Sequence, residues 1–192
     1  EIINALYETK GSPTHQSAIN RKVKMCTGNG IKTPKTQALI DFAKKHKLNK
    51  QLRAISLDYE LYNAFAFEII VDRAGENITD FNAIPIDKLR IGIESDKVPF
   101  KHMLFSNKWA EYRKEQYAPE IIKLYSADED VVGKQIYVYF EPTKSDGYPT
   151  IPYSNSYNFI EIEAEFGVFH FNNLANGYAP DFMLNIATGI PG

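Results

Sequence analysis

Leu57-Asp58-Tyr59-Glu60-Leu61-Tyr62-Asn63-Ala64-Phe65-Ala66-Phe67-Glu68-Ile69-Ile70-Val71-Asp72-Arg73-Ala74-Gly75-Glu76 contains a change of period. Up to this point Leu52, Ile55, Tyr59 and Tyr62 recur at helical spacing and give a helix one apolar stripe. From Ala64 onward, Phe65, Phe67, Ile69, Ile70 and Val71 are aromatic or β-branched, the residue types that fit a pleated strand. Arg73-Ala74-Gly75-Glu76 reads as a hairpin turn leading into a partner strand from Ile78 to Ile84. Helices followed by a run of strands predict an α+β fold.

Upstream, Ser12-Pro13 opens a helix: the hydroxyl caps free N–H groups, and proline at the first helical position has no N–H to leave unbonded. Ala18, Ile19, Val23 and Cys26 keep helical spacing, and Gly28-Asn29-Gly30 ends the helix. Thr33-Pro34 repeats the start signal for a helix with Leu39, Phe42, Ala43 and His46 inward, and Asn49 is a cap for the third helix.

Downstream, Pro85 interrupts the sheet, Leu89, Ile91 and Ile93 alternate with polar residues, and Phe100 to Phe105, Pro119 to Tyr125 and Gln135 to Phe140 read as further strands of an antiparallel or mixed sheet. Glu141 to Pro152 is rich in Pro and Asp-Gly signals and reads as a hinge or protruding loop. Residues 154 to 176 alternate like a strand, yet they exceed strand length, open on Ser154-Asn155-Ser156 and stop at Asn176-Gly177. One long C-terminal helix is therefore expected, followed by a short strand from Phe182 to Ala187. The domain reading is a single unit over 1–192, helical and basic in 1–63, β-rich in 64–141, and loop plus helix in 142–192.

The chain has 192 residues, is 44% hydrophobic and 24% charged, and has no apolar run of membrane-spanning length. It starts at Glu1 with no basic-then-apolar leader pattern. Its single cysteine, Cys26, excludes an intrachain disulfide and is expected to be a buried structural thiol. The net charge of -2 is unevenly laid out: residues 10 to 53 hold 11 of the 22 Lys+Arg against Asp41 alone, +10 in all, leaving -12 to the remainder. Lys22, Lys24, Lys44, Lys45, Lys47 and Lys50 are the candidate polyanion or subunit contacts; the competing use is the solvated face of surface helices. The charge division predicts that the basic segment lies away from the acidic helix around Glu161 to Glu165.

No constellation for chemistry emerges. Thr27-Gly28-Asn29-Gly30-Ile31-Lys32-Thr33 has Ile31 where a phosphate loop needs glycine, and a helix rather than a strand precedes it. His15, His46, His102 and His170 form no metal-ligand spacing, and Asp128-Glu129-Asp130 lacks the alternation of a calcium loop. Glu161, Glu163 and Glu165 point in different directions on a helix. The reading is a protein without catalytic residues, metal or cofactor. Its 12 Tyr, 12 Phe and one Trp leave an aromatic binding surface open beside core packing.

The order of motifs resembles the tailed-bacteriophage portal protein family. Gly11-Ser12-Pro13-Thr14-His15 opening a helix is similar to that family's small-Pro helix start, and the stretch from Leu57 to Gly75 to its hydrophobic-Asn-Ala-Phe strand and Asp-Arg-x-Gly hairpin. Ile84-Pro85 to Leu89-Arg90-Ile91, Tyr148-Pro149 to Pro152-Tyr153, and Phe169-His170-Phe171-Asn172-Asn173-Leu174-Ala175-Asn176-Gly177 before Tyr178-Ala179-Pro180 continue the resemblance over nearly the whole chain.

The resemblance implies a non-enzymatic subunit of a ring, usually a dodecamer, at one capsid vertex of a phage or prophage virion, assembled in the bacterial host cytoplasm. Double-stranded DNA passes through it without sequence preference, and capsid, terminase and head-tail connector proteins dock on it. Family chains are longer, so this chain is expected to be a fragment of a portal-like parent, monomeric or weakly associated alone. The alternatives are a non-catalytic binding module with a contiguous exposed aromatic patch, and an enzyme with an unrecognised site marked by converging groups of shifted pKa.

Overall fold

The computed structural model describes Tyr7 and residues 11–32, 35–75, 77–92, 102–126, 132–140 and 148–177. Among the described residues the helices α1 (Pro13–Thr27), α2 (Gln37–Lys45), α3 (Leu48–Tyr62) and α4 (Tyr157–Ala175) accompany the strands β1 (Ala64–Val71), β2 (Ile78–Ile84), β3 (Leu89–Ile91), β4 (His102–Phe105), β5 (Glu120–Leu124) and β6 (Gly133–Phe140). The fold is α+β with a mixed sheet in the order β2-β1-β6-β5-β4-β3. Two antiparallel halves meet at a short parallel seam, where Lys123 faces Gln135 and Leu124 faces Ile136.

The switch of period at Asn63-Ala64 is a physical joint. Asn63 ends α3 in the left-handed conformation (φ 56°), which its short polar side chain tolerates, and its N–H bonds the Tyr59 carbonyl. The chain turns there and enters β1 as the sequence predicts. At the far end of β1 the hairpin closes through Gly75 at φ 77°, whose N–H donates to the Asp72 carbonyl.

α3 lies along the outer edge of β2, where a bare strand would leave N–H groups open to other chains. Gln51 Oε1 accepts from Ala83 N (2.9 Å), Asp58 Oδ2 accepts from Ile86 N (2.9 Å), and His46 Nδ1 lies 3.1 Å from Asp80 Oδ1 just before the helix. Two apolar clusters hold the layers. Ala64, Ala66, Ile84, Ile86, Leu89, Met103, Ile122 and Ile136 form the sheet core, and Ile19, Val23 and Leu61 form a smaller one between α1 and α3; Tyr62 packs on both.

Several local expectations are corrected. α1 is capped by Ser12, whose Oγ accepts from His15 N, but it buries His15, Ile19 and Val23 and leaves Ala18 exposed. Cys26 is exposed as well, in the last turn of α1, where its Sγ lies 3.7 Å from Glu60 Oε1 of α3. Leu39 points outward, and α2 starts at Gln37, downstream of Thr33-Pro34, which lie outside the described residues. Asn49 does not cap α3, which starts after Lys47 in a left-handed conformation; its Oδ1 instead accepts from Ile31 N at 2.8 Å and ties down the loop after α1. The long helix is confirmed as α4, while the strand from Phe182 to Ala187, the acidic run Asp128-Glu129-Asp130 and most of the loop after Glu141 lie outside the described residues.

That tie leaves little room at Gly30. Its φ is +87°, and a Cβ there would stand 2.5 Å from Asn49 Oδ1. Gly30→Ala is expected to cost about 1–3 kcal/mol through strain and the lost Asn49 bond. Gly28→Ala, with open space around the Cβ position at φ +48°, is expected to cost less. Urea midpoints of the two variants measure the difference.

Candidate functional site

The six candidate lysines separate into two groups. Lys44, Lys47 and Lys50 line one cavity of ≈ 350 Å³ where α2 turns into α3, on a floor of Ile31, Ile40 and Leu48 and with no acidic side chain in its wall. Three ammonium groups around one opening make a spot that suits a phosphate-rich polymer. Lys45 and Lys24 are not in that wall; each sits in the last turn of its helix, where a cation offsets the partial negative charge of the free carbonyls. Lys22 is exposed but already paired, its ammonium meeting the buried Glu60 across α1 and α3.

The basic segment and the acidic helix meet rather than keep apart. Ser12 and Thr14 at the start of α1 both donate to Glu163 of α4, the latter at 2.6 Å, and the His15 and Tyr153 rings stand 4.5 Å apart beside them. The contact is made by hydroxyls because no lysine lies in this first turn. A serine, a histidine and a glutamate thus converge, yet they form no nucleophile: Ser12 receives a backbone N–H of His15, not its imidazole. Burial pulls the His15 pKa down, Glu163 opposing, and pushes the Tyr153 hydroxyl up to about 12.

A second group of polar residues surrounds Asp58, in a cavity of ≈ 370 Å³ with Tyr62, Pro85, Asp87 and Lys88. Burial raises its pKa to about 7 against the opposing bond from Ile86 N, with Asp87 adding to the rise. A shifted carboxylate in a cavity is the mark expected of an enzyme. Here it clamps a backbone amide at the sheet edge, with Asp87 and Lys88 in the same wall. Among the described residues no three His, Cys, Asp or Glu side chains are placed to hold a metal ion, and no helix is long and apolar enough to cross a membrane.

The largest departure from sequence expectation lies in the apolar surfaces. α4 is covered at Tyr157, Ile160, Glu163 and Ala164; from Glu165 to Ala175 every residue but Asn173 is exposed. Phe159, Ile162, Phe166, Phe169, Phe171 and Leu174 are each between 56% and 74% exposed. Phe159, Ile162, Phe166 and Phe169 recur at i, i+3, i+7 and i+10, one continuous row pointing away from the docked side. The alternation that mimicked a strand has this cause: α4 is apolar on more than one face, the pattern of a helix meant to be covered.

The stripe read on α3 is also left open. Leu52, Ile55 and Tyr59 do not enter the core; with Cys26, Phe65 and Tyr139 they line a groove of ≈ 420 Å³ between α3 and the sheet. The groove continues onto an aromatic ladder, Phe65 against Tyr139 (5.3 Å) and Phe67 against Tyr137 (4.8 Å) and Phe81 (4.6 Å). The ladder follows from the two-residue period: Ala64 and Ala66 take the core face of β1 and Phe65 and Phe67 the other. Sequence reasoning placed most of these rings in the core because alternation fixes which residues share a face, not which face is covered. No protein-family model, curated protein or solved structure matches the chain.

Proposed function

We propose that the chain is a structural part of a tailed-phage portal subunit, acting by shape and assembly without chemistry of its own. The observation that carries this reading is the overhanging helix α4. Covering a Phe, Leu or Ile side chain contributes about 1.5–3 kcal/mol, and α4 holds six such side chains out to solvent. A subunit whose apolar surface is completed by its neighbours accounts for this, and the ordered motifs from Gly11 to Pro180 supply the family. In that reading the ring is a dodecamer of the virion, its neighbours are capsid, terminase and connector proteins, and the Lys44, Lys47 and Lys50 cluster meets DNA phosphates without reading sequence.

A second reading has its own observation: the ladder of Phe65, Phe67, Phe81, Tyr137 and Tyr139 is the contiguous aromatic patch expected of a non-catalytic binding module. Electron microscopy and light scattering of the full-length gene product separate the two. Closed rings with a central channel are the expected result. A strictly monomeric product, concentrated and at every salt tested, overturns the portal reading and leaves the binding module.

A further inference from the structure

We propose that the groove between α3 and the sheet binds a small organic cation, an ammonium head carried on a short apolar body. The inference goes beyond the portal reading and does not depend on copies forming a ring.

The groove is graded along its length. Leu52 and Ile55 line it toward the start of α3, Tyr59 and Glu60 line it toward the end, and about 12 Å of helix separates Leu52 from Glu60. Its volume of ≈ 420 Å³ falls in the range of small-ligand sites, roughly 300–1,000 Å³. At the far end Phe65 and Tyr139 stack across neighbouring strands, with 5.3 Å between centroids and 19° between planes. The Tyr59 ring stands across them, 6.2 Å from Tyr139 at 49° and 6.4 Å from Phe65 at 68°. Rings meeting at an angle make a corner, and the negative faces of aromatic rings attract a cation placed there. Among the described residues the chain's own cations that sit over rings use Trp109, Tyr117, Tyr112 and Phe105, none of which lines this groove.

The charge in the wall has the matching sign. Glu60, only 7% exposed, lines the same end, and among the described residues no Lys, Arg or His lines the groove. Its two oxygens are unequally occupied. Oε2 meets the ammonium of Lys22, whose side chain is exposed to water, whereas Oε1 has the Cys26 thiol 3.7 Å away, a weak donor. A carboxylate accepts at about four positions, so Lys22 does not exhaust it. A buried acceptor with so weak a partner gains most from a charged donor. An ammonium between Glu60 and the rings supplies that donor and the cation for the corner at once, while its apolar body covers Leu52 and Ile55. An anion would meet Glu60 with like charge, and a neutral head would leave the rings without a cation.

Hexylammonium, hexan-1-ol and hexanoate share a tail and differ in the head, and titrating each into the protein at pH 7 under two-dimensional NMR gives three dissociation constants. Hexylammonium is expected to bind at least tenfold more tightly than hexan-1-ol, with hexanoate weakest. Cys26, the chain's single cysteine, stands in the groove wall and reports the location. Saturating hexylammonium is expected to slow its alkylation by iodoacetamide at least threefold, and the same concentration of hexanoate to leave the rate unchanged. Glu60→Gln is expected to shrink the preference for ammonium over alcohol to less than threefold. Tyr139→Leu is expected to weaken ammonium binding at least fivefold with the circular dichroism spectrum of the parent. The head-group series and the alkylation rates are read on the unaltered protein, so they decide the matter even where a variant fails to fold. Equal affinity for the three heads, no binding of hexylammonium, or binding that leaves the Cys26 rate unchanged would each overturn the site. Rings or monomers seen by microscopy bear on the portal reading alone.

Discussion

Asp58→Asn is expected to raise stability at pH 8 by about 2–4 kcal/mol and to change it little below pH 4. Asp58 is half-buried, and its pKa stands at about 7 in the fold, desolvation being the main cause. In the unfolded chain it returns to about 4. Between those values the folded state holds a proton that the unfolded state has released, so stability falls as pH rises, by up to about 1.4 kcal/mol per pH unit. Above pH 7 the whole penalty of an ionised, poorly solvated carboxylate is present. Asparagine keeps an oxygen to accept from Ile86 N and carries no charge. Urea midpoints at pH 4, 6 and 8 should fall steadily for the parent protein and stay nearly level for the variant. Asp58→Ala serves as the control: it removes the charge but also strands the amide, at a cost of about 1–3 kcal/mol, so it should be the less stable variant at pH 4. Parallel pH profiles for parent and Asp58→Asn would refute the account.

The same residue marks what a sequence can and cannot tell. Asp58 stands in the stretch whose change of period announces the fold, yet nothing around it signals a buried carboxylate, because its partner is an amide 28 residues away across the sheet edge. Local signals were legible where local physics decides: the Ser12-Pro13 start, the turn around Gly75 and the strands β1 to β6 all stand where propensity and alternation put them. Contacts between distant segments were not. Asn49 looks like a cap until the loop after α1 claims its side chain, and Lys22 looks like a free surface cation until Glu60 is brought beneath it. Of the six lysines read as one set, Lys44, Lys47 and Lys50 share a cavity wall because helix spacing and a short turn keep neighbours in sequence together. The open groove was not legible, since the stripe Leu52, Ile55 and Tyr59 has the same pattern whether the fold or a partner covers it.

Ile136→Ala is expected to cost about 3–4 kcal/mol, whereas Phe169→Ser, which removes a larger side chain, is expected to change the stability of the isolated chain by less than about 0.5 kcal/mol. Ile136 is 0% exposed and sits where the two antiparallel halves of the sheet join; its carbonyl accepts from Tyr125 N at 2.8 Å and its side chain is part of the sheet core. The seam is only two residue pairs long, and beside it Lys134 of β6 reaches Glu68 of β1 (2.9 Å) and Glu120 of β5 (3.1 Å). Of these two pairs only the one with the exposed Glu120 crosses the seam, and a surface pair adds little, so the apolar cluster shared by Ile136, Ile122 and Ala66 supplies much of what keeps the halves together. A cavity there lowers a stability that for a single domain is only about 5–15 kcal/mol. Phe169 is 60% exposed on the overhanging part of α4, and its nearest ring neighbours, Phe166 and His170, belong to the same helix. Its apolar surface contributes nothing to the isolated fold and everything to whatever covers the helix. Denaturation of both variants gives the two costs, and light scattering of concentrated samples gives the complementary half: Ile136→Ala should associate like the parent wherever it remains folded, and Phe169→Ser should associate less. A cost above 1.5 kcal/mol for Phe169→Ser would mean that α4 completes its own fold, and the argument for a missing neighbour would fail with it.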